Sequence, residues 1–312
     1  MRQFKKIRNT HFIGIGGSGM IGIATILHKK GYNISGSDIS KTKDLDELEK
    51  SGVEVTYSHK SKNISNKDLI VLSSAIHSSN VEVLSAKKKN IPIIPRAEML
   101  SGISRGYQGI AVAGSHGKTT TTSLIAHIFN QALLSPTYLI GGKILSSDGN
   151  SRLGDGNFFI FEADESDKSF LLLQPSVSIV TNIEPDHLVN YDGSFDNLKK
   201  AFLEFIKKLP FNGVSIVCGD DTVVKELKIN FQRPHISYGF ESSNDYVLSS
   251  YRTDGRNSYF KLTSDTDSFD FKLNMLGKHN VLNAGAAIVL CLQEGIAVKV
   301  IQDSLSLSLI HI

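Results

Sequence analysis

Short apolar runs alternate along the chain with segments whose apolar residues recur at helical spacing. An unbroken apolar run of four or five residues favours a buried strand, whereas recurrence every three or four residues favours an amphipathic helix. Such alternation is typical of α/β folds with parallel sheets. We predict strands at 32–36, 53–57, 69–73, 91–94, 109–113, 158–161, 177–180 and 214–218, a β-rich stretch at 237–273, and helices at 20–30, 45–50, 81–89, 123–129, 195–209, 276–295 and 298–305.

These elements group into two domains, as expected for 312 residues of which 40% are hydrophobic. We expect a Rossmann-like parallel-sheet domain at 1–106 and a central phosphate-loop domain at 107–305. The helical pattern is lost after residue 305. We therefore expect 306–312 to be a truncated or non-native tail.

Charge and cysteine content exclude several classes of protein. Lysine and arginine number 34 against 31 aspartates and glutamates, a net charge of only +3 without a long basic block, so nucleic acid is not an expected partner. The apolar run at 12–27 is interrupted by five glycines, and we expect neither a signal peptide nor a membrane span. The two cysteines have no ligand-like spacing, which indicates a reducing, cytoplasmic location.

The stretch from Gly114 to Thr122 follows an apolar strand and precedes a helix. A glycine loop in that context directs backbone N–H groups and the positive end of the helix dipole at a polyphosphate. Lys118 adds a mobile positive charge, and the Thr119 hydroxyl suits Mg²⁺. The usual first glycine of this motif would fall at Val112, so the loop is shorter than the general pattern. The alternative is a glycine turn followed by a chance Lys-Thr pair.

A second glycine loop lies near the N-terminus, with glycines at 14, 16 and 19 before a predicted helix. Asp38 follows about twenty positions later, which is the form of a dinucleotide fingerprint. Such a loop binds a diphosphate without specifying the rest of the ligand, so NAD and a UDP-sugar both fit. The alternative is a tight strand-to-helix turn without a ligand.

Acidic groups follow two of the predicted strands in the central domain. The segment 162–167 reads Glu-Ala-Asp-Glu-Ser-Asp, and 181–187 reads Thr-Asn-Ile-Glu-Pro-Asp-His. Carboxylates at strand ends beside a phosphate loop are suitable Mg²⁺ ligands, although a solvated acidic turn is the alternative. Spacing alone leaves His187 open between a metal ligand and a helix cap.

Three polar residues share one edge of the helix predicted after 276. His279, Asn280 and Asn283 are spaced three and four residues apart, and amide side chains suit the edge of a nucleobase. Helix capping is the alternative for Asn280.

Taken together, these motifs are similar to those of the Mur ligases, in the same order and over nearly the whole chain. The segments that carry the resemblance are 14–20, 36–38, 73–76, 95–100, 114–122, 162–167, 181–187 and 277–283. Within the family, the first loop and the 162–167 segment are most similar to members that add L-alanine. The resemblance implies an ATP-dependent, Mg²⁺-requiring ligase of peptidoglycan precursor synthesis, which would join L-alanine to the carboxylate of UDP-N-acetylmuramate through an acyl phosphate.

The resemblance also implies roles for individual residues. Lys118, Glu165 and His187 match catalytic positions, and Thr119, Glu165 and His187 match metal ligands. The positions that match ATP contacts are Gly114, Ser115, His116, Gly117, Lys118, Thr119, Thr120, His279, Asn280 and Asn283. The positions that match the sugar-nucleotide site are Gly17, Ser18, Gly19, Ser37, Asp38, His59, Ser73 and Arg96.

The chain departs from the family pattern in three places. Val189 stands where an aspartate is common and Thr25 where a glutamate is common. A third domain that closes over ATP in the family is not expected here, so we expect the chain alone to turn over little. Alternatives are a ligase that attaches a tripeptide to the same UDP-sugar, an NAD-dependent oxidoreductase, and a nucleotide-binding regulatory module.

Overall fold

The computed structural model describes residues 7–141 and 150–307. They divide into two compact units. The first comprises the residues up to Ile103 together with Asn150–Leu153, and the second comprises the other described residues.

Within the described residues, the first unit is built on a five-stranded parallel sheet in the order β3-β2-β1-β4-β5. Its strands are β1 (Asn9–Ile13), β2 (Asn33–Ser37), β3 (Glu54–Thr56), β4 (Leu69–Leu72) and β5 (Ile93–Pro95). The helices are α1 (Ser18–Lys29), α2 (Lys43–Lys50), α3 (Val81–Lys88) and α4 (Arg96–Ser104). All carboxyl ends of the strands therefore lie at one edge, where ligands of open α/β sheets gather.

In the part of the second unit that the structure describes, nine strands lie in the order β15-β14-β13-β12-β11-β10-β6-β9-β7. The strands numbered from 6 onward are β6 (Gln108–Ala113), β7 (Thr137–Leu139), β8 (Ser151–Arg152), β9 (Phe158–Glu162), β10 (Val177–Val180), β11 (Val214–Cys218), β12 (His235–Gly239), β13 (Tyr246–Asp254), β14 (Asn257–Thr263) and β15 (Ser268–Leu273); of these, β8 belongs to the first unit. Pairing is parallel from β7 to β13 and antiparallel from β13 to β15. The neighbours β9, β6 and β10 bring their carboxyl ends together.

Helices of the second unit are α5 (Lys118–Gln131), α6 (Phe195–Lys207), α7 (Thr222–Lys228), α8 (Lys278–Gln293) and α9 (Val298–Ser306). Helix α8 is buried over nearly its whole length and packs on α5 and the sheet to form the core. The predicted cap of α6 is confirmed, since Ser194 Oγ accepts the N–H of Asn197.

Most predicted elements are confirmed, and strands β10 and β11 have the predicted bounds. Helices α4 and α7 were not predicted, and α5 begins at Lys118, earlier than the predicted 123. The predicted tail falls largely outside the described residues, because only Ser306 and Leu307 of it belong to them. Among the residues that the structure describes, no helix is long and apolar enough to cross a bilayer.

Candidate functional site

The phosphate loop of the second unit connects β6 to α5 and needs glycine at two positions. Gly114 has φ +136° and Gly117 has φ +82°, backbone conformations that L side chains rarely adopt. A Cβ at Gly114 would overlap the hydroxyl of Thr181, and one at Gly117 would overlap the amide of Asn283. The loop therefore packs directly against the end of β10 and against α8.

Asn182, just after β10, holds the shape of this loop. Its backbone oxygen accepts the N–H of Ser115 at 3.1 Å, and its Oδ1 accepts the N–H of His116 at 2.8 Å. The N–H groups of Ser115 and His116 thus have acceptors within the protein, and the predicted contacts of these two residues with ATP stay a prediction. The remaining donors are the N–H groups at the start of α5, from Gly117 to Thr120, which have no intrahelical acceptor.

Lys118 and Glu165 form an ion pair beside the loop. The Lys118 ammonium lies 2.9 Å from both carboxylate oxygens of Glu165 and 2.5 Å from the carbonyl oxygen of Gly114. Glu165 is only 2% exposed, and this burial raises its pKa, although Lys118 opposes the shift. The structure thus brings together two predicted catalytic residues separated by 47 positions.

A second carboxylate, Glu162 at the end of β9, completes a set of oxygen donors. Its Oε1 accepts the N–H of Gly141 at 2.8 Å, and its side chain hydrogen-bonds Thr119. Burial raises the pKa of Glu162, and those two hydrogen bonds lower it by less than burial raises it. A hydroxyl and two carboxylates are the hard ligands that Mg²⁺ prefers, so Thr119, Glu162 and Glu165 fit this cation. Glu162 begins the acidic segment that was expected to supply Mg²⁺ ligands, although only Glu165 was singled out from that segment.

His187 belongs to a segment that packs on the one containing Glu165. It is exposed, has φ +54° and precedes the 3₁₀ helix Leu188–Tyr191. The Tyr191 hydroxyl donates to the backbone oxygen of Glu165, and the Asn190 amide donates to that of Ser166. These contacts are compatible with the predicted metal role of His187, which stays a prediction.

His116 lies beside two acidic side chains of the 181–187 segment. Its Nε2 is 3.3 Å from Glu184 Oε2 and 3.5 Å from Asp186 Oδ2, and all three side chains are about half exposed or more. This geometry suits metal ligation. Sequence reasoning placed His116 in the phosphate loop but did not pair it with these acids.

A cleft of about 450 Å³ opens between the loop and α8. The side chains that line it include His116, Thr181, Asp220, Tyr238, His279 and Asn283. It is large enough for a ligand group, and most of the residues that line it have polar side chains. Of the predicted base contacts, His279 and Asn283 therefore lie where a base bound beside the phosphate loop would be.

Asn280 differs from the other two predicted base contacts. Its amide donates to the carbonyl oxygen of Leu276 at 2.8 Å, which satisfies the backbone just before α8. Among the described residues that line the cleft, Asn280 is not present. The structure thus gives Asn280 a local bonding role and does not bring it to the cleft.

In the first unit, the Asp38 carboxylate hydrogen-bonds the backbone of the glycine loop. Its Oδ2 accepts the N–H of Gly16 at 2.8 Å, and its Oδ1 accepts the N–H groups of Ile39 and Ser40. Asp38 therefore supports the shape of the loop, and its predicted contact with the sugar nucleotide stays a prediction. The predicted side chain of Ser18 lies outside the described part of the structure.

Arg96, at the start of α4, lies against the beginning of α1. A Cβ at Gly19 would overlap the Arg96 guanidinium, and Gly17 is the exposed N-cap of α1. Ser73, after β4, lies next to Gly14. Four predicted positions thus surround the glycine loop, and the guanidinium and helix N-terminus suit a diphosphate.

Ser37 and His59 meet at Glu82, a carboxylate that was not predicted. Glu82 is fully buried, and its Oε2 lies 2.5 Å from Ser37 Oγ and 2.9 Å from His59 Nδ1. Burial by itself would raise the pKa of Glu82, but the polar side chains around it outweigh burial and lower the pKa to about 2. Glu82 is therefore an anion in the interior of the first unit.

The two units match family models for two consecutive domains. The Mur ligase middle domain matches residues 112–291, and the Mur ligase family catalytic domain matches residues 9–108. The chain belongs to the Mur ligase family. This confirms the resemblance inferred from the motifs and disfavours the oxidoreductase alternative.

Similar proteins agree with this assignment. The chain is 49% identical, over 96% of its length, to the UDP-N-acetylmuramate–L-alanine ligase of Ruthia magnifica subsp. Calyptogena magnifica, and it spans 65% of that relative. It resembles the structure of the UDP-N-acetylmuramate-alanine ligase MurC from Thermotoga maritima with a TM-score of 0.84 at 28% identity, covering 96% of this chain and 68% of that one. The UDP-N-acetylmuramate:L-alanyl-γ-D-glutamyl-meso-diaminopimelate ligase from Neisseria meningitides shares the fold, with a TM-score of 0.88 at 24% identity over 97% of this chain and 98% of that one.

Proposed function

We propose that the chain carries the sugar-nucleotide and ATP sites of a ligase that joins L-alanine to UDP-N-acetylmuramate. The printed names of the curated relatives support this substrate pair. The observation that carries the proposal is the Lys118–Glu165 pair at the N-terminus of α5, next to Thr119 and Glu162. We place the protein in the cytoplasm, where its nucleotide substrates are made.

In this proposal the second unit binds ATP. The N–H groups at the start of α5 bind the phosphates, and His279 and Asn283 contact the adenine. Lys118 moves from Glu165 to the transferring phosphoryl group and stabilises its charge. Mg²⁺, held by Thr119, Glu162 and Glu165 with His187 nearby, would neutralise phosphate charge when bound.

The first unit binds the UDP moiety. Arg96 and the N-terminus of α1 at Gly17 face the diphosphate, while Ser73 and His59 contact the rest of the nucleotide. The reaction then has two steps: the muramyl carboxylate takes the γ-phosphoryl group and ADP leaves, and the amine of L-alanine attacks the acyl phosphate, releasing inorganic phosphate. In the first step a bond forms between the carboxylate oxygen and the γ-phosphorus and the bond from that phosphorus to ADP breaks. In the second step a C–N bond forms, the acyl C–O bond to phosphate breaks, and the amine loses a proton.

Calorimetric titrations of the chain with UDP-N-acetylmuramate, MgATP and NADH test the proposal. We expect saturable binding of the first two and none of NADH. Phosphate release by the chain in the presence of both nucleotides should be slow, and the release that occurs should rise with L-alanine and not with the tripeptide L-alanyl-γ-D-glutamyl-meso-diaminopimelate. Saturable NADH binding without UDP-N-acetylmuramate binding would overturn the proposal. Phosphate release that rises with the tripeptide and not with L-alanine would make the tripeptide the substrate in place of L-alanine.

A charge variant tests the role of Lys118. We expect Lys118→Gln to weaken MgATP binding by about tenfold or more, because a charge-assisted contact to phosphate is lost. Lys299→Gln is the matched control, since that lysine is 78% exposed and pairs with Asp303 along α9. Equal ATP affinity in the two variants would contradict the role.

A further inference from the structure

Glu82 lies in the first turn of α3 and has no access to solvent. The Asn80 side chain caps this helix by accepting the Glu82 N–H at 2.9 Å. A buried carboxylate is costly unless its oxygens are satisfied. Both oxygens of Glu82 have hydrogen-bond partners. Oε2 faces Ser37 and His59, and Oε1 accepts from the Asn63 amide at 2.6 Å.

The partners of Glu82 come from separate elements around the edge of the sheet. Ser37 ends β2, His59 follows β3, and Asn63 lies in the 3₁₀ helix Ser61–Ile64. From β1, His11 Nε2 lies 3.7 Å from Oε1, and its Nδ1 contacts Ser35. Lys60 contributes its backbone N–H at 3.4 Å. Within the described residues, the titratable side chains that face Glu82 are thus His11 and His59.

This arrangement determines the proton position on His59. An ionised carboxylate only accepts hydrogen bonds, so the Nδ1 that faces Glu82 must carry a proton. In the neutral ring, Nε2 is then an acceptor. Within the described residues, the hydrogen bonds of the His59 ring involve Nδ1, to Glu82 and to Ser37 Oγ at 3.1 Å. The side chain keeps 16% exposure, so Nε2 is left for another partner.

His59 lies close to the elements that form the sugar-nucleotide site. Ser37, which hydrogen-bonds the His59 ring, directly precedes Asp38 in the sequence. The Asp38 carboxylate in turn accepts the N–H of Gly16. Because β1, β2 and β3 are adjacent and parallel, the glycine loop and His59 share one edge of the sheet. A ligand over the loop therefore lies near the ring.

We propose that Glu82 is a positioning residue that fixes the orientation and tautomer of His59, so that Nε2 meets the nucleoside diphosphate bound at the glycine loop. This inference rests on the proposed function for the identity of that nucleotide. Glu82 itself does not touch the ligand. It acts through the His59 ring and the Ser37 hydroxyl.

The Glu82→Gln variant tests the proposal because it keeps the shape and removes an acceptor oxygen. An amide nitrogen facing His59 favours the ring with Nδ1 unprotonated and Nε2 protonated. We expect UDP-N-acetylmuramate affinity to fall about tenfold, the size of one lost hydrogen bond to a charged group, and MgATP affinity to be unchanged. The matched control is Glu47→Gln on α2, whose side chain is 62% exposed. Unchanged sugar-nucleotide affinity in Glu82→Gln would overturn the proposal.

Nitrogen-15 NMR of histidine-labelled chain reads the tautomer directly and needs no ligand. We expect His59 of the unmutated chain to carry its proton on Nδ1, and the Glu82→Gln variant to shift it to Nε2. A proton on Nε2 in the unmutated chain overturns the proposal, even if the variant does not fold. Failure of the unmutated chain to bind UDP-N-acetylmuramate would overturn the proposed function. The His59 tautomer measured by NMR would still test the role of Glu82 separately.

Discussion

At the scale of single residues, Lys118 and Glu165 dominate the electrostatics of the phosphate loop. Their side chains are 18% and 3% exposed, and breaking such a pair leaves an uncompensated charge in a poorly solvated place. Burial raises the pKa of Glu165 and of Glu162, so both carboxylates gain from a nearby cation. The local structure therefore favours positive charge at the base of the loop.

Asn283 and Asn280 provide a test of which α8 side chain contacts the base. We expect Asn283→Ala to weaken ATP binding by about tenfold, because the cleft loses a paired donor and acceptor. Asn280→Ala should change ATP affinity by about twofold at most, since its amide is bonded to Leu276. Calorimetric titration of both variants measures this. A larger loss in Asn280→Ala would reverse the assignment.

The phosphate-loop residues could be predicted because the motif is local in sequence. Lys118 and Thr119 follow the glycines directly, and their roles follow from residue type. Glu82 could not be found in this way, because its contacts to Ser37 and His59 cross 45 and 23 positions. The folded structure brings α3 to the end of β2 and to the segment after β3, where these side chains meet.

At the scale of elements, the four consecutive threonines at the start of α5 differ in their bonding, and the buried Thr121 hydroxyl has no hydrogen-bond partner within the described residues. The Thr122 hydroxyl donates to the Lys118 carbonyl at 2.8 Å, and Ser123 donates likewise to Thr119 at 2.7 Å. Such backbone bonding satisfies buried hydroxyls in a helix. A polar role in the site is thus supported for Thr119, whereas Thr122 bonds its own helix.

Elements with a strong apolar pattern were predicted well and short, weakly patterned ones were not. Strands β10 and β11 are continuous apolar runs, and α6 has a clear apolar face. Helix α4 carries no such face and contains a glycine, and α7 has only seven residues. Packing and capping, as by Asp221 at α7, decide such helices.

Two glycine substitutions, compared with each other, separate the cost of backbone strain from the cost of packing overlap at the N-terminus of α5. Gly193→Ala introduces a Cβ at φ +71° with no neighbour within 4 Å, so we expect a loss of about 1 kcal/mol in unfolding free energy and unchanged ATP affinity. Gly117→Ala adds an overlap with Asn283, so it should destabilise more and weaken ATP binding. Denaturation and ATP titration of both variants measure this. Equal losses of stability in the two variants, with ATP affinity unchanged in both, would mean that the Asn283 side chain moves aside at no cost.

At the scale of the whole molecule, the two units respond to acid in opposite ways. In the first, Glu82 has a lowered pKa, so its contribution to stability is present above its unfolded value and is lost as pH falls. In the second, burial raises the pKa of Glu162, Glu165 and Asp221, whose contributions are instead lost as pH rises. Asp245 in the second unit opposes this trend, since hydrogen bonds from Ser237 overcome burial and lower its pKa.

We therefore expect acid to unfold the first unit before the second. Between pH 4.5 and about 2, the contribution of Glu82 to the first unit, roughly 3 kcal/mol for the shift between these values, is lost. Amide hydrogen exchange, corrected for intrinsic rates, should show β1 and β2 losing protection before β6 and β10. Glu82→Gln should flatten this pH dependence in the first unit only. Simultaneous loss of protection in both units would refute the expectation.

The ion pair at the phosphate loop has one more consequence. The two oxygens of Glu165 cannot serve the Lys118 ammonium and a divalent ion at full strength together, so a metal arriving alone competes with the lysine. In the proposed function, a bound triphosphate would draw the ammonium away and leave the carboxylate to the metal. Nucleotide and cation are then thermodynamically linked, each raising the affinity for the other by the same factor.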